Sequence, residues 1–309
     1  MPKAEGRRSK ATASASLRPS TLGLRPSRTI GITLGDPAGI GPEVVEAALA
    51  SGKLDAAHTY RIIGERGNAV AGEPTPDTAR AALAALEESV AMLRAGEIAA
   101  VVTGPIHKAR MQAVGFEFPG QTEFFAKRAG VENFAMCLTG GALTVALVTA
   151  HVPLREVAGI LSAGEIVRVG KLLIEFLKKR LGRAPRIAVA GLNPHAGESG
   201  TLGREEIEII APAIAQLPSP VFTGPISPDT VFHRAVRGEF DGVLCMYHDQ
   251  GLIPLKLHAF DEGVNITLGL PFPRTSPDHG TAFEIAGKGI ARPDSMIAAI
   301  RLAADLVER

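Results

Sequence analysis

Three short apolar runs each break, within a few residues, into a histidine flanked by proline or an acid. Leu143 to Ala150 runs into His151-Val152-Pro153, Arg186 to Leu192 into Asn193-Pro194-His195, and Val243 to Met246 into Tyr247-His248-Asp249-Gln250-Gly251. Runs this short are not helices, and their core-forming residues read as buried strands. Each strand would release its polar chemistry at its carboxyl end, where ligands collect in open α/β sheets.

The rest of the chain alternates in the rhythm such a sheet needs. Strands are expected over 29–34, 59–64 and 98–102. Helices are expected over 77–95, closed by Gly96, and over 163–181, 205–216 and from Asp294 onward. A further helix opens at the Phe118-Pro119-Gly120-Gln121-Thr122-Glu123 turn and runs through Ala129, while 224–230 reads as a loop carrying one acid, Asp229. Strands separated by helices at this spacing predict a mostly parallel sheet covered on both faces. At 309 residues the chain suits two α/β domains or one large one.

Between the first strand and its helix, Gly35-Asp36-Pro37-Ala38-Gly39-Ile40-Gly41-Pro42 permits a tight turn onto a helix N-terminus. Its glycines are not at the offsets of the dinucleotide fingerprint, so a structural turn and a phosphate or substrate loop fit it equally. Walker A, GxSxG and CxxC patterns are missing as well. Two cysteines, Cys137 and Cys245, argue against a disulfide framework and for a reducing, cytoplasmic setting. No apolar run is long enough to span a membrane.

Charge is unevenly spread. Residues 1–28 hold seven Lys or Arg against Glu5, a balance of +6, so a net charge of +1 leaves the remainder at −5. This Ser-, Ala- and Pro-rich segment reads as a disordered basic tail of transit-peptide-like composition. A mildly acidic body with few aromatics does not read as a nucleic-acid binder.

Neutral imidazoles donate strongly to divalent metals, and three of them leave an open position for water or a substrate oxygen. The residues alone leave two readings of equal weight: one shared metal, or three separate hydrogen-bonding histidines. His58, His107, His233 and His258 have no comparable setting and read as surface or helix histidines. Arg274, in a Pro-rich loop, suits a carboxylate or phosphate clamp because its planar fork matches those groups.

The blocks LGDPAGIGPEV, VTGPIHK, PGQTEF, TAHVPL, LNPHAGE, GPISPDTVF, MYHDQGLIPLK, GVNITLGLPFPRTSPDHGTA and AGKGIA together resemble the 4-hydroxythreonine-4-phosphate dehydrogenase family of pyridoxal phosphate biosynthesis, from about residue 29 to the C-terminus. The GIGPEV and HGTAFEIAGKGIA segments are similar, more distantly, to isocitrate and isopropylmalate dehydrogenases, which bind the dinucleotide without the usual fingerprint. The resemblance implies a two-domain α/β/α fold, with residues 29–120 plus 265–309 on the dinucleotide side and 121–264 forming the metal-binding and dimerisation domain. It implies a homodimer with both subunits contributing to each site.

Carried over residue by residue, the metal ligands fall on His151, His195 and His248, with zinc, magnesium or cobalt as the ion. Substrate contacts fall on Gln121, Thr122, Lys256, Asn265 and Arg274, and NAD or NADP contacts on His279, Gly280 and Thr281. Asp229 and Asp249 match acids of the metal pocket, and Lys256 or Asp249 would serve as the base. The implied reaction is oxidation and decarboxylation of 4-phosphooxy-L-threonine to 3-amino-2-oxopropyl phosphate. Gln121 departs from the family's usual histidine and can hydrogen-bond but carries no positive charge. Dehydrogenation of another phosphorylated hydroxy acid, a threonate or erythronate 4-phosphate, is therefore the alternative. A non-catalytic dinucleotide- or metabolite-binding regulator and a three-histidine hydrolase are more remote readings.

Overall fold

A computed structural model describes residues 28–308; the expected disordered tail, Arg28 apart, lies outside the described residues. The chain lays down β1 (Thr29–Thr33), α1 (Gly41–Ala50), β2 (Thr59–Ile63), α2 (Pro76–Ala95), β3 (Ala100–Thr103), α3 (Lys108–Ala113), α4 (Gln121–Ala129), β4 (Ala135–Gly140) and β5 (Leu143–Leu147). There follow α5 (Leu154–Ile160), α6 (Ala163–Leu181), β6 (Ile187–Ala190), α7 (Ala211–Ile214), β7 (Phe222–Ile226), α8 (Pro228–Val236), β8 (Gly242–Cys245), α9 (His248–Ala259), β9 (Val264–Leu268), β10 (Arg274–Pro277) and α10 (Asp294–Glu308).

The long helices have local causes. α2 starts where Thr75 and Thr78 exchange side-chain and backbone hydrogen bonds with Pro76 just inside, and it stops at Gly96, whose φ of 71° suits glycine. α6 is capped by Ser162, whose hydroxyl accepts from the Glu165 N–H, and turns an apolar stripe of Ile166, Val169, Leu173 and Leu177 into the core. Burying each such side chain contributes about 1.5–3 kcal/mol before entropy is counted.

All ten strands join one sheet in the order β2-β1-β3-β10-β9-β4-β5-β8-β6-β7. Pairing is parallel on both wings and antiparallel across β10-β9-β4-β5 at the centre, so the sheet is mostly parallel, with an antiparallel middle that the helix–strand rhythm does not announce. One core cluster packs α6 and α10 against the sheet, and two others lie under α8 with α9 and under α2 with α4, so helices cover both faces. β5, β8 and β6 are parallel neighbours. Their carboxyl ends therefore carry His151, His248 and His195 to the same edge of the sheet.

Three local expectations are corrected and one is refined. The 224–230 segment is not all loop, because β7 pairs with β6 through Ile226. The 205–216 helix stands as one helical run with a π-helical turn at Glu206–Ile210 leading into α7, and Glu206 faces inward to bind backbone groups of the preceding loop. His248 opens α9 instead of ending a strand, and Lys256 lies within that helix. His58 is buried, not on the surface. The Gly35–Pro42 turn is closely packed: its residues are buried, Asp36 N–H donates to the Pro105 carbonyl, and a Cβ on Gly41 would meet the Leu34 oxygen at 1.9 Å.

Candidate active site

A cavity of about 440 Å³ opens between the end of β3, the first turn of α4, β10 and the segment after β5. Its most constrained wall residue is Arg274, 3% exposed on β10. The guanidinium Nη2 donates to Thr103 Oγ1 (2.6 Å) and Gln121 Oε1 (3.2 Å), and Nη1 to Asn265 Oδ1 (3.3 Å). Phe125 lies under it with its ring centroid 5.9 Å away. Among the described residues no carboxylate is within ion-pair distance, and Nε is buried without a partner. Burial pulls this arginine down to about 10, partly offset by Glu123, so it stays charged at neutral pH. A buried cation held only by neutral oxygens retains its demand for an anion.

Gln121 is engaged at both ends of its amide. Besides accepting from Arg274, its Nε2 donates to the Gly104 carbonyl at 3.0 Å, tying the α4 N-terminus to the strap after β3. Thr122 and Asn265 line the same cavity, and Thr122 Oγ1 lies 3.4 Å from Thr267 Oγ1. Lys108, at the start of α3, adds a second positive charge to the wall. The first-turn N–H groups of α4 lack intrahelical partners and favour an anion.

His151 also lines this cavity, and its ring centroid is 5.5 Å from that of His248. Burial, then the fields of Lys108 and His248, push the His151 ring below the usual imidazole range. His248 Nδ1 is 2.6 Å from Asp249 Oδ1, and His195 Nδ1 is 3.1 Å from Glu198 Oε2. With Nδ1–H donated to a carboxylate, each Nε2 keeps a lone pair, the orientation in which histidines hold metals. The donor set fits a divalent cation in chemistry. In one chain, however, the three rings do not bring their nitrogens within 4.8 Å of one another.

His195 sits on an unusual loop. His195, Ala196, Gly197, Glu198 and Ser199 all have positive φ, between 43° and 80°. Each non-glycine residue there costs roughly 1–2 kcal/mol. The loop is held by buried Glu206, whose Oε1 accepts from the N–H groups of Leu192 and Asn193 at 2.7 and 2.8 Å, while Oε2 accepts from Asn193 Nδ2 at 2.9 Å. Strain maintained in this way is typical of functional loops.

A second cavity of about 650 Å³ adjoins the first through Asn265, Ser276, Pro277 and His279. Lys256, Gly280, Ile290 and Arg292 line it. Lys256 Nζ is paired with Asp278 at 3.0 Å. His279 lines both cavities; its Nε2 is buried without a partner, and burial pushes the ring below the usual range. Thr281 is buried, its carbonyl accepting from Ile40 N–H at 2.9 Å, so it shapes the turn behind this cavity. Asp229 is exposed and accepts from Ser227 Oγ at 2.5 Å.

The structure thus brings Gln121, Thr122, Asn265, Arg274 and His151 to one cavity and Lys256, His279 and Gly280 to its neighbour. Sequence reasoning missed Lys108, Thr103 and Glu206. Lys108 and Thr103 stand in the VTGPIHK block at a strand end, a signal of the kind used for the histidines. Nothing in the sequence marks Glu206 as buried.

The model of the family described as pyridoxal phosphate biosynthetic protein PdxA matches residues 38–303. The chain belongs to the PdxA family. It is 45% identical to the 4-hydroxythreonine-4-phosphate dehydrogenase of Desulfosudis oleivorans, with 91% of this chain and 97% of that one covered. The solved 4-hydroxythreonine-4-phosphate dehydrogenase from Klebsiella pneumoniae superposes with a TM-score of 0.77 at 36% identity, over 91% and 100% of the two chains. Isocitrate dehydrogenase from Methylococcus capsulatus, at 18% identity and a TM-score of 0.52 over 91% and 87%, shares the fold. Membership of the PdxA family makes the protein a dehydrogenase of pyridoxal phosphate biosynthesis.

Proposed function

We propose that the protein oxidises 4-phosphooxy-L-threonine with NAD or NADP and releases carbon dioxide to give 3-amino-2-oxopropyl phosphate. The observation that carries this reading is Arg274, a buried guanidinium without an acid partner in the cavity that also contains His151. Arg274, Lys108 and the first turn of α4 bind the phosphate, while Thr122 and Asn265 orient the carbon chain beside it. His151, His195 and His248 hold a divalent cation of the zinc, magnesium or cobalt type. When bound, such a cation polarises the reacting alcohol and stabilises negative charge on that oxygen during decarboxylation.

The dinucleotide occupies the second cavity, with His279 and Gly280 at the junction and Thr281 shaping the turn behind. Of the two groups considered as base, Lys256 lines this cavity, whereas Asp249 is engaged by His248; the third acid, Asp229, is engaged by Ser227. Lys256 in its neutral amine form therefore takes the hydroxyl proton, and the ammonium that results pairs with Asp278. Residues 29–120 plus 265–309 form the dinucleotide side and 121–264 the metal side, a division supported by the sheet order, in which β9 lies between the two sets of strands.

Both subunits of a homodimer complete each metal site in this reading. Its support is the exposed apolar side chains on the two helices that follow the histidines: Leu154 and Ile160 on α5 after His151, and Leu257 (88% exposed) on α9 after His248 with Phe260 (72%) just beyond. Among the described residues no helix is long and apolar enough to cross a membrane. A cytoplasmic setting is supported by the two buried free cysteines.

Gln121 favours a second reading, a threonate or erythronate 4-phosphate, because a neutral amide faces the anion pocket. Parallel steady-state assays separate the two. The first reading expects the highest kcat/KM with 4-phosphooxy-L-threonine; a tenfold preference for either sugar-acid phosphate would transfer the assignment to the second. Absence of turnover with all three substrates, in protein loaded with metal, would favour a binding regulator.

A further inference from the structure

The edge of the sheet opposite the active-site cavity carries another group of potential ligands. His58 precedes β2 and Arg28 precedes β1, so both lie at the amino ends of parallel strands, where the last turn of α10 brings Glu308 against them. The His58 side chain is 1% exposed. Its Nδ1 is 3.2 Å from the Arg28 carbonyl oxygen, which only accepts, so Nδ1 donates there and Nε2 is the ring atom left to face the acids. That Nε2 is buried without a hydrogen-bond partner, yet lies 3.3 Å from Glu308 Oε1. A lone pair facing a carboxylate oxygen is repulsive unless a proton or a cation lies between them.

Asp55 supplies the third donor. One oxygen from each carboxylate and one His58 nitrogen all lie within 4.8 Å of one another, the one such group among the described residues. Asp55 Oδ1 also accepts from Ala57 N–H at 2.8 Å, which fixes the side chain. Among the described residues neither Asp55 nor Glu308 has a Lys or Arg partner, so two carboxylates face the one imidazole of His58. Neighbouring Tyr60 registers these acids: its hydroxyl is pushed above the usual range by burial first, then by Asp55, with Asp305 and Glu308 adding to it.

We propose that His58, Asp55 and Glu308 form a second divalent-cation site, remote from the catalytic histidines, that pins the end of α10 to the start of β1 and β2. One imidazole and two carboxylates suit Zn²⁺ better than Ca²⁺ or Mg²⁺, which prefer all-oxygen shells. The Nε2-to-Oε1 distance of 3.3 Å also fits: ligand bonds of roughly 2.0–2.1 Å imply a tetrahedral edge of about 3.3 Å. Water completes the fourth position.

The test uses the full chain, stripped with chelator and titrated with Zn²⁺ at pH 8 by calorimetry. The His248→Ala protein serves as background, so that the active-site histidines do not contribute. One Zn²⁺ per chain is expected to bind there. Adding Glu308→Gln, on the last exposed turn of a helix, should weaken that binding at least tenfold, and His58→Gln should abolish it. Co²⁺ substituted into the same background should show the strong visible absorption of a tetrahedral ion, lost with either change. In the otherwise native chain, Glu308→Gln should leave turnover intact. Failure of the His248→Ala protein to bind Zn²⁺, or binding unchanged by both further substitutions, would overturn the proposal.

Discussion

The anion pocket and the histidine edge lie side by side and are built in opposite ways. Around Arg274 everything is already in position within one chain: the guanidinium is buried, three side-chain oxygens hold it within 3.3 Å, and Gln121 locks the adjoining helix to the strap after β3. The histidines are individually well oriented but not gathered. His195 is 64% exposed on a left-handed loop, and its ring nitrogens do not join those of His151 and His248. A pocket can be preformed when neutral donors and one charge satisfy each other. Three imidazoles converging without a cation have nothing to hold them together. Substrate affinity should therefore belong to the single chain, and turnover to the assembled, metal-loaded protein.

The largest effect that would sharpen this contrast is His248→Ala. Losing a cation that supplies several kcal/mol of charge stabilisation should lower kcat by about 1,000-fold. Dinucleotide binding, followed by fluorescence titration, should change by less than a few-fold; a parallel collapse of both would erase the distinction between the regions.

Next is Arg274→Lys, which keeps the charge and loses the fork. Lost hydrogen bonds from a charged group are worth about 1.5–3 kcal/mol, so kcat/KM for the phosphorylated substrate should fall about 100-fold, chiefly through KM. Metal content should not move. Gln121→Ala should be milder, raising KM about tenfold by removing one hydrogen bond from the charged Arg274 and one neutral bond to the Gly104 carbonyl, while leaving the guanidinium itself in place. An unchanged KM would mean that Arg274 is held without it.

The smallest functional effect should come from Asp241, at the far end of the strand that leads to His248. Its carboxylate accepts from Arg183 Nη2 (2.6 Å), Arg183 Nη1 (2.9 Å) and the Arg186 N–H (2.8 Å). The hydrogen bond from Arg183, with help from Arg186, holds it well below the usual carboxylate range. Asp241→Asn should cost about 1.5–3 kcal/mol of stability at pH 7 without altering kcat. Because the folded carboxyl is depressed, its contribution is present above the unfolded value and lost as pH falls, so the difference in urea midpoints should shrink below about pH 4.

Much of the frame is legible in the residues because it depends on local causes. β1, β2 and the ends of α2 and α6 follow from alternation, caps and closing glycines, and the ordered motif blocks identify the family. β4 was not legible: Ala135-Met136-Cys137-Leu138-Thr139-Gly140 has no β-branched run, and it is a strand because β5 and β9 pair with it on either side. The same applies to Arg274, whose neighbours Thr103 and Gln121 are more than 150 positions away, and to His58, buried only because α10 returns over the start of the sheet. Glu206 and the left-handed His195 loop depend on each other, and neither announces itself in a linear reading.

The most direct measurement is a crystal structure of the zinc-loaded protein with the phosphorylated substrate, with anomalous scattering used to locate the ion. The account expects a peak with nitrogens of His151, His195 and His248 about 2.0–2.1 Å from it, the substrate phosphate on Arg274, and its hydroxyl toward the ion. A peak elsewhere with those three rings still apart, even across neighbouring subunits, would contradict it.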